Sequence, residues 1–377
     1  MDATALDMQQ NEITMNRMRW KQVELLEWAI PQHGNAGFQL SASAVPGVKE
    51  LSELPGGPYA PRITGSNFFG HLELRRTLGK RYNAEPDRIL VAQGAAECDF
   101  LIAGAVLQQG GTAIVETPVY EPIYRAAECF ADKVISLPRR LENHCLPDPQ
   151  ELRGLLDSST KLIALTNLHN PTGVRMDADL LREIAGVASE YGAVVLVDEV
   201  FLPMAEWDHG KHASAYGCIT VNSMDKCYGL TNLRVGWAVG NRDVIAKANS
   251  LNMLLRVHQP FVTEDLASQI LADEQAMRWF QSRTTEAQQG RRFYDRFIEE
   301  HPQAKYIVPD AGINGILALP AGSDDRKFIE ALQTRKDTVA FPGSFFGLPG
   351  TIRVSYGGNP VEIEEGFNRL GELYREW

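Results

Sequence analysis

Between residues 88 and 240 short apolar runs alternate with longer stretches whose apolar positions recur at helical spacing. The runs 88–93 (RILVAQ), 112–117 (TAIVET), 133–137, 161–167 (KLIALTN) and 193–198 (AVVLVD) predict strands. Between them, 96–107, 120–130, 149–156 and 177–191 predict helices. The run 193–198 has almost no polar interruption, as expected of a strand covered on both faces. Two more strand candidates are 218–223 and 234–240. Strand and helix alternating in this way predict an α/β fold, a three-layer αβα unit built on a mostly parallel sheet.

The flanks are patterned differently. Residues 15–28 have helical spacing, and a loop-like stretch with Pro31, Gly34, Gly37, Pro46 and Gly47 follows. The segment 51–61, rich in proline and glycine, reads as a connection. Helical spacing dominates 264–299, then come strand candidates at 315–319, 338–341 and 351–355 and a last helix at 361–375. The expected organisation is a large domain at 61–261 and a smaller α+β domain at 262–377, which the segment 1–60 joins. A chain of 377 residues is long enough for two domains.

Composition narrows the class. With 44% hydrophobic and 23% charged residues the chain is an ordinary globular one. Its net charge of −11 argues against nucleic acid or an anionic membrane as partner. Five cysteines, an odd number without a CxxC pair, suggest neither a disulfide framework nor a zinc site. The start, Met1-Asp2-Ala3-Thr4-Ala5, lacks the basic and apolar regions of a signal peptide, and no apolar run approaches a membrane span. The chain reads as a reduced, soluble, cytoplasmic protein.

Candidate chemistry sits at the predicted strand ends, where parallel α/β sheets hold their ligands. Gly94-Ala95-Ala96-Glu97 follows one strand and opens a helix. Small residues there let backbone amides reach a phosphate, although any tight turn has the same look. Tyr120 follows the next strand and offers a ring for stacking. Asn170 lies in Leu168-His169-Asn170-Pro171-Thr172-Gly173 after another. Asn-Pro starts turns in any protein, and the amide can also bond a ring hydroxyl. His169 beside it reads as structural. Asp198 ends the most apolar strand, where a carboxylate is costly unless paired. A pyridinium nitrogen is a suitable partner. Lys226 lies in Ser223-Met224-Asp225-Lys226, eight residues before Arg234. A lysine amine makes a Schiff base with an aldehyde, and a hydroxyl and an arginine nearby can hold that aldehyde's phosphate. Taken alone, Lys226 is equally a solvated surface lysine. Arg353, in the apolar run Thr351-Ile352-Arg353-Val354-Ser355-Tyr356, needs an anion, either a substrate carboxylate or a structural partner.

The order of these features, from a phosphate turn through an Asn-Pro-Thr-Gly to a lysine and a late arginine, resembles the class I/II aminotransferases, fold type I pyridoxal-phosphate enzymes. The resemblance is most specific at 169–173 and 223–236. It implies pyridoxal 5'-phosphate as cofactor, with Lys226 for the Schiff base and proton transfer. Asp198 is implied for the ring nitrogen, Asn170 for the ring oxygen and Tyr120 for stacking. Ala95, Ala96, Ser223 and Arg234 are implied for the phosphate, and Arg353 with Asn170 for the substrate. It also implies exchange of an amino group between an L-amino acid and a 2-keto acid, and a homodimer.

Three positions depart from the family's pattern. Phe201 stands where the family usually has a tyrosine whose hydroxyl bonds the ring oxygen. Asp225 precedes the lysine where a small residue is usual, so it must point away, find a cation or be protonated. The stretch Gly65-Ser66-Asn67-Phe68-Phe69-Gly70 lacks the tyrosine that reaches the neighbouring subunit's phosphate. An alternative reading keeps the cofactor and changes the reaction to elimination or cyclisation. Phe201 and Pro342-Gly343-Ser344-Phe345-Phe346-Gly347 are similar to capreomycidine-synthase-like enzymes, and a C–S lyase-like activity uses the same chemistry. A third reading, a ligand-sensing regulator, requires a basic recognition helix before the large domain, and 1–60 contains none.

Overall fold

The computed structural model describes residues 20–32, 34–207 and 212–377. A seven-stranded sheet forms the centre, running across Ile89–Ala92, Gly236–Val239, Ile219–Ser223, Val194–Asp198, Thr160–Thr166, Thr112–Thr117 and Lys133–Pro138. Only Gly236–Val239 is antiparallel to its neighbours.

Alternation along the strands feeds two apolar layers. Ala113, Val115, Leu162, Ala164 and Leu196 face helices Ala95–Val106, Glu121–Phe130 and Arg242–Leu255. Ile114, Ile163, Leu165, Val195 and Val197 face helices Pro149–Leu155 and Ala178–Glu190. Both faces are thus covered, which is why 193–198 carries so few polar residues. The two helices of the second layer start at Asp148 and Asp177, whose carboxylates accept from the first free backbone N–H groups.

The C-terminal part holds a three-stranded antiparallel sheet of Phe341–Pro342, Thr351–Ser355 and Asn314–Ala318. Phe38–Gln39 pairs in parallel with Thr338–Val339 and ties the N-terminal segment to it. A third apolar cluster runs from Leu74, Leu78 and Trp237 through Phe280 to Phe328 and Leu370.

The predicted strands and helices of 88–240 lie within a residue or two of those found. The helix predicted at 15–28 differs. Residues 15–19 lie outside the described residues, and the helix present is Glu24–Gln32, with Pro31 in its last turn. Glu121 decides where it begins, because its carboxylate accepts from Leu25 N–H at 2.8 Å. Sequence spacing near residue 24 holds no trace of that contact. Helices Leu72–Tyr82, Arg242–Leu255 and Asp325–Lys336 were also not predicted; in Leu72–Tyr82 and Asp325–Lys336 charged side chains outnumber the buried apolar ones.

Candidate active site

Parallel strands bring their C-terminal ends to one edge, and the register aligns Thr166 with Asp198. The antiparallel strand runs the other way, so its first residue, Gly236, lies opposite both Ala92 and Ser223. Arg234, just before it, is thereby delivered to the same edge. A cavity of about 350 Å³ opens there, and every candidate residue lines it: Ala95, Ala96, Tyr120, Asn170, Asp198, Ser223, Lys226, Arg234 and Arg353.

At one end the chain makes an anion cradle. Gly94 caps helix Ala95–Val106 with φ 96°, which favours glycine. A Cβ on Gly94 would lie 2.3 Å from Arg234 Nη2, and one on Gly236 would lie 2.4 Å from the Gly94 carbonyl carbon. Among the described residues Arg234 donates to backbone carbonyls alone, Nη2 to Gln93 O at 3.0 Å and Nη1 to Thr231 O at 3.2 Å. Its charge is therefore available to an anion at the helix start, where the dipole also favours one.

Asp198 lines the same cavity and is buried, its Oδ1 accepting Val200 N–H at 2.9 Å. Burial pushes its carboxyl up to about 7, against the pull of that bond and of Lys226. Asp99 lines the same cavity, and its buried Oδ1 has no hydrogen-bond partner among the described residues. Burial, then the Asp198 charge, raise it well above the usual carboxylate range.

Lys226 Nζ donates to Ser43 Oγ at 3.0 Å and lies 3.2 Å from Asp225 Oδ2. Asp225 Oδ1 accepts from Thr231 Oγ1 at 2.6 Å. Of the three outcomes open for Asp225, finding a cation is the one observed. Burial pushes its carboxyl up, but Lys226, the Thr231 bond and Arg234 outweigh it and hold the group below its ordinary value.

Arg353 is only 3% exposed and has no carboxylate partner among the described residues. Its guanidinium lies 4.5 Å from the Phe341 ring and 5.0 Å from Phe346. Nη1 reaches Asn170 Oδ1 and Nη2 reaches Ser41 O, both at a long 3.3 Å, while Nε is unpaired. Burial lowers it to about 10, opposed by Tyr120. Asn170 is set from below, since Thr166 Oγ1 accepts its N–H at 3.2 Å and donates to Glu116 at 2.6 Å. Glu116 in turn pairs with buried Arg139. His169 is fully engaged, with ring nitrogens on Thr172 Oγ1 and Pro118 O. Phe201 lines the cavity without a hydroxyl.

The sequence reading did not single out Ser43, Asp99, Thr166, Leu25, Leu26 and Phe341, which also line the cavity. Asp99 had a signal, a carboxyl in the apolar helix stretch 98–105. Ser43 had none, because a loop of the N-terminal segment brings it. A wider cavity of about 940 Å³ adjoins the first, and Ser43, Asp225, Lys226 and Phe341 line both.

Pyridoxal phosphate fits this donor set. The glycine-lined cradle with Arg234 suits a phosphate, buried Asp198 has no ion-pair partner among the described residues and would gain one in a ring N–H, and Lys226 lines the same cavity. Among the described residues no group of three or more His, Cys, Asp or Glu is arranged to hold a metal ion, and no helix is long and apolar enough to cross a membrane.

Comparison with known proteins agrees with this picture. Residues 62–370 match the family model described as aminotransferase class I and II. An aspartate aminotransferase of Pyrococcus horikoshii is 25% identical over 319 residues, which cover 79% of this chain and 80% of that one. Capreomycidine synthase of Streptomyces vinaceus is 26% identical over 338 residues, covering 87% and 84%. Among solved structures, a pyridoxal-phosphate-dependent aminotransferase from Streptococcus suis superposes with a TM-score of 0.84 at 23% identity, covering 95% of this chain and 99% of that one.

Proposed function

The chain belongs to the class I and II aminotransferase family, as a pyridoxal-phosphate-dependent transaminase, and on that premise we propose the roles of its residues. Lys226 holds the cofactor and moves the proton. Ala95, Ala96, Ser223 and Arg234 hold the phosphate, Asp198 the ring nitrogen and Asn170 the ring oxygen, and Tyr120 lies against the ring. When bound there, pyridoxal phosphate supplies an aldehyde that an amine can engage and a ring that disperses the electrons left by a departing α-proton. Arg353 takes the α-carboxylate of the amino acid in its planar fork and orients the α-carbon. Lys226 Nζ, freed by the incoming amine, takes the α-proton. Asp198, as a carboxylate, keeps the ring nitrogen protonated.

The observation that carries this reading is Arg353. A buried guanidinium without a carboxylate partner, sharing a cavity with a lysine amine, is costly unless an anionic ligand arrives. The test is a screen of amino donors against two keto acids, with absorbance of the bound cofactor followed in parallel. The expectation is keto-acid-dependent turnover and a visible band that Lys226→Ala abolishes. A Lys226→Ala protein with full turnover would overturn the reading.

Phe201 supports a second reading, elimination or cyclisation, because the hydroxyl that usually steadies the ring oxygen is missing. The likeness to capreomycidine synthase points the same way. Ammonia or a cyclic product released without a keto-acid acceptor would favour it. We also propose a homodimer in the cytoplasm, built on the exposed apolar side chains of Ile63, Phe68, Phe69, Leu254, Leu255 and Val257. A monomer in sedimentation at micromolar concentration would refute the dimer. The segments 61–261 and 262–377 serve as cofactor-binding and small domains in this proposal.

A further inference from the structure

We propose that Asp225 is a resident counter-ion of Lys226, which favours the protonated form of the lysine nitrogen and competes with the cofactor's phosphate for the Arg234 end of the cavity. The inference rests on the cofactor reading above and gives a task to a residue which that reading leaves idle.

The geometry is specific. Asp225 is not free to swing into solvent, because Thr231 Oγ1 holds one carboxylate oxygen at 2.6 Å and the other lies 3.2 Å from Lys226 Nζ. Its backbone N–H donates to Ser223 Oγ at a long 3.4 Å, so the hydroxyl assigned to the phosphate already has an internal partner. Asp225 and Lys226 line both the inner cavity and the wider one that adjoins it, which puts the carboxylate where the two meet. Arg234 stabilises the Asp225 charge, and the same guanidinium is the cation offered to the phosphate.

Two electrostatic consequences follow. A negative charge beside the lysine nitrogen favours its protonated form. The same charge repels a dianionic phosphate at the same end of the cavity. The other charged and titratable groups facing the cavity are Asp198, Asp99, Tyr120, Arg234 and Arg353. In the adjoining cavity, helix Glu274–Gln288 adds Arg283 and Glu286 and helix Pro360–Glu376 adds Glu362. Arg283 is engaged, donating to Pro46 O and lying 4.6 Å from the Trp279 ring. Asp225 is the carboxylate bonded to Lys226.

Asp225→Asn keeps the shape and removes the charge, and Asp225→Ser serves as a second variant if the first folds poorly. The first readout is absorbance of the cofactor-loaded protein against pH. Its midpoint, which reports the lysine nitrogen, is expected to fall by about one pH unit in either variant. The second readout is binding of inorganic phosphate to the cofactor-free protein, expected to tighten about tenfold. A midpoint that stays or rises overturns the proposal, and so does phosphate affinity that is unchanged or weaker. The cofactor reading is tested separately by Lys226→Ala, and phosphate binding needs no covalent chemistry, so the two can fail independently.

Discussion

Replacing Arg353 by methionine should move stability and activity in opposite directions. Burial lowers this guanidinium well below its ordinary value, to about 10. A shift of that size is worth about 3 kcal/mol against the charged form. Because the folded value lies below the unfolded one, the cost is complete below about pH 10 and fades only as pH rises through that value toward the unfolded one. Methionine removes the charge and keeps an apolar stem between Phe341 and Phe346. It gives up two long 3.3 Å bonds and the interaction with the two rings, the latter worth about 0.5–1 kcal/mol each and partly replaced by sulfur. The cofactor-free variant should therefore gain about 1–2 kcal/mol in urea unfolding at pH 7. In the loaded enzyme, methionine removes two charge-assisted bonds to the α-carboxylate, about 1.5–3 kcal/mol each. Thus kcat/KM should fall by roughly two to four orders of magnitude, and Arg353→Lys, which keeps one bond, by about one to two. An Arg353→Met protein that unfolds more easily than the wild type, or that turns over within twofold of it, refutes the reasoning.

Other outcomes follow from the same site. The folded Asp198 carboxyl stands at about 7, above its ordinary 3.8, so the folded cofactor-free chain binds the extra proton between these values. Its stability should fall by roughly 2–4 kcal/mol as pH rises from 4 to 7 in chemical unfolding, and Asp198→Asn should flatten that slope; an unchanged slope counts against the assignment. Gly236→Ala pushes a Cβ to 2.4 Å from the Gly94 carbonyl carbon and 2.7 Å from Ala95 N. It should cost about 1–3 kcal/mol in thermal unfolding and weaken phosphate binding, whereas wild-type affinity would show that the cradle yields freely. Phe201→Tyr restores a hydroxyl facing the cavity and should tighten cofactor binding about fivefold by equilibrium dialysis, the worth of one ordinary hydrogen bond. Weaker binding would mean that Phe201 packs where the hydroxyl cannot reach the ring.

Local pattern carried the large sheet. Strand 194–198 was visible because a strand buried on both faces must be apolar throughout, and the helices at 149 and 178 because their apolar positions recur at helical spacing. Order along the chain made the candidate residues recognisable, since Ala95, Tyr120, Asn170, Asp198 and Lys226 end or follow strands whose C-terminal ends face the same edge, whereas Arg234 precedes its strand and Arg353 lies within one of the small sheet. Helix Glu24–Gln32 was misplaced because its start depends on Glu121, 96 residues away from Leu25.

What the sequence determined by itself was therefore the layered α/β fold and the identity of the groups that converge. These depend on periodicity and residue chemistry, which are local. Only the tertiary structure decided the charge relations among them. It put Asp99 in the same cavity as Asp198, seated Lys226 between Ser43 and Asp225, and left Arg353 buried without a carboxylate among the described residues. Ser43 and Arg353 lie 183 and 127 residues from Lys226, and what a buried charge costs depends on such neighbours in space, of which sequence separation carries no record.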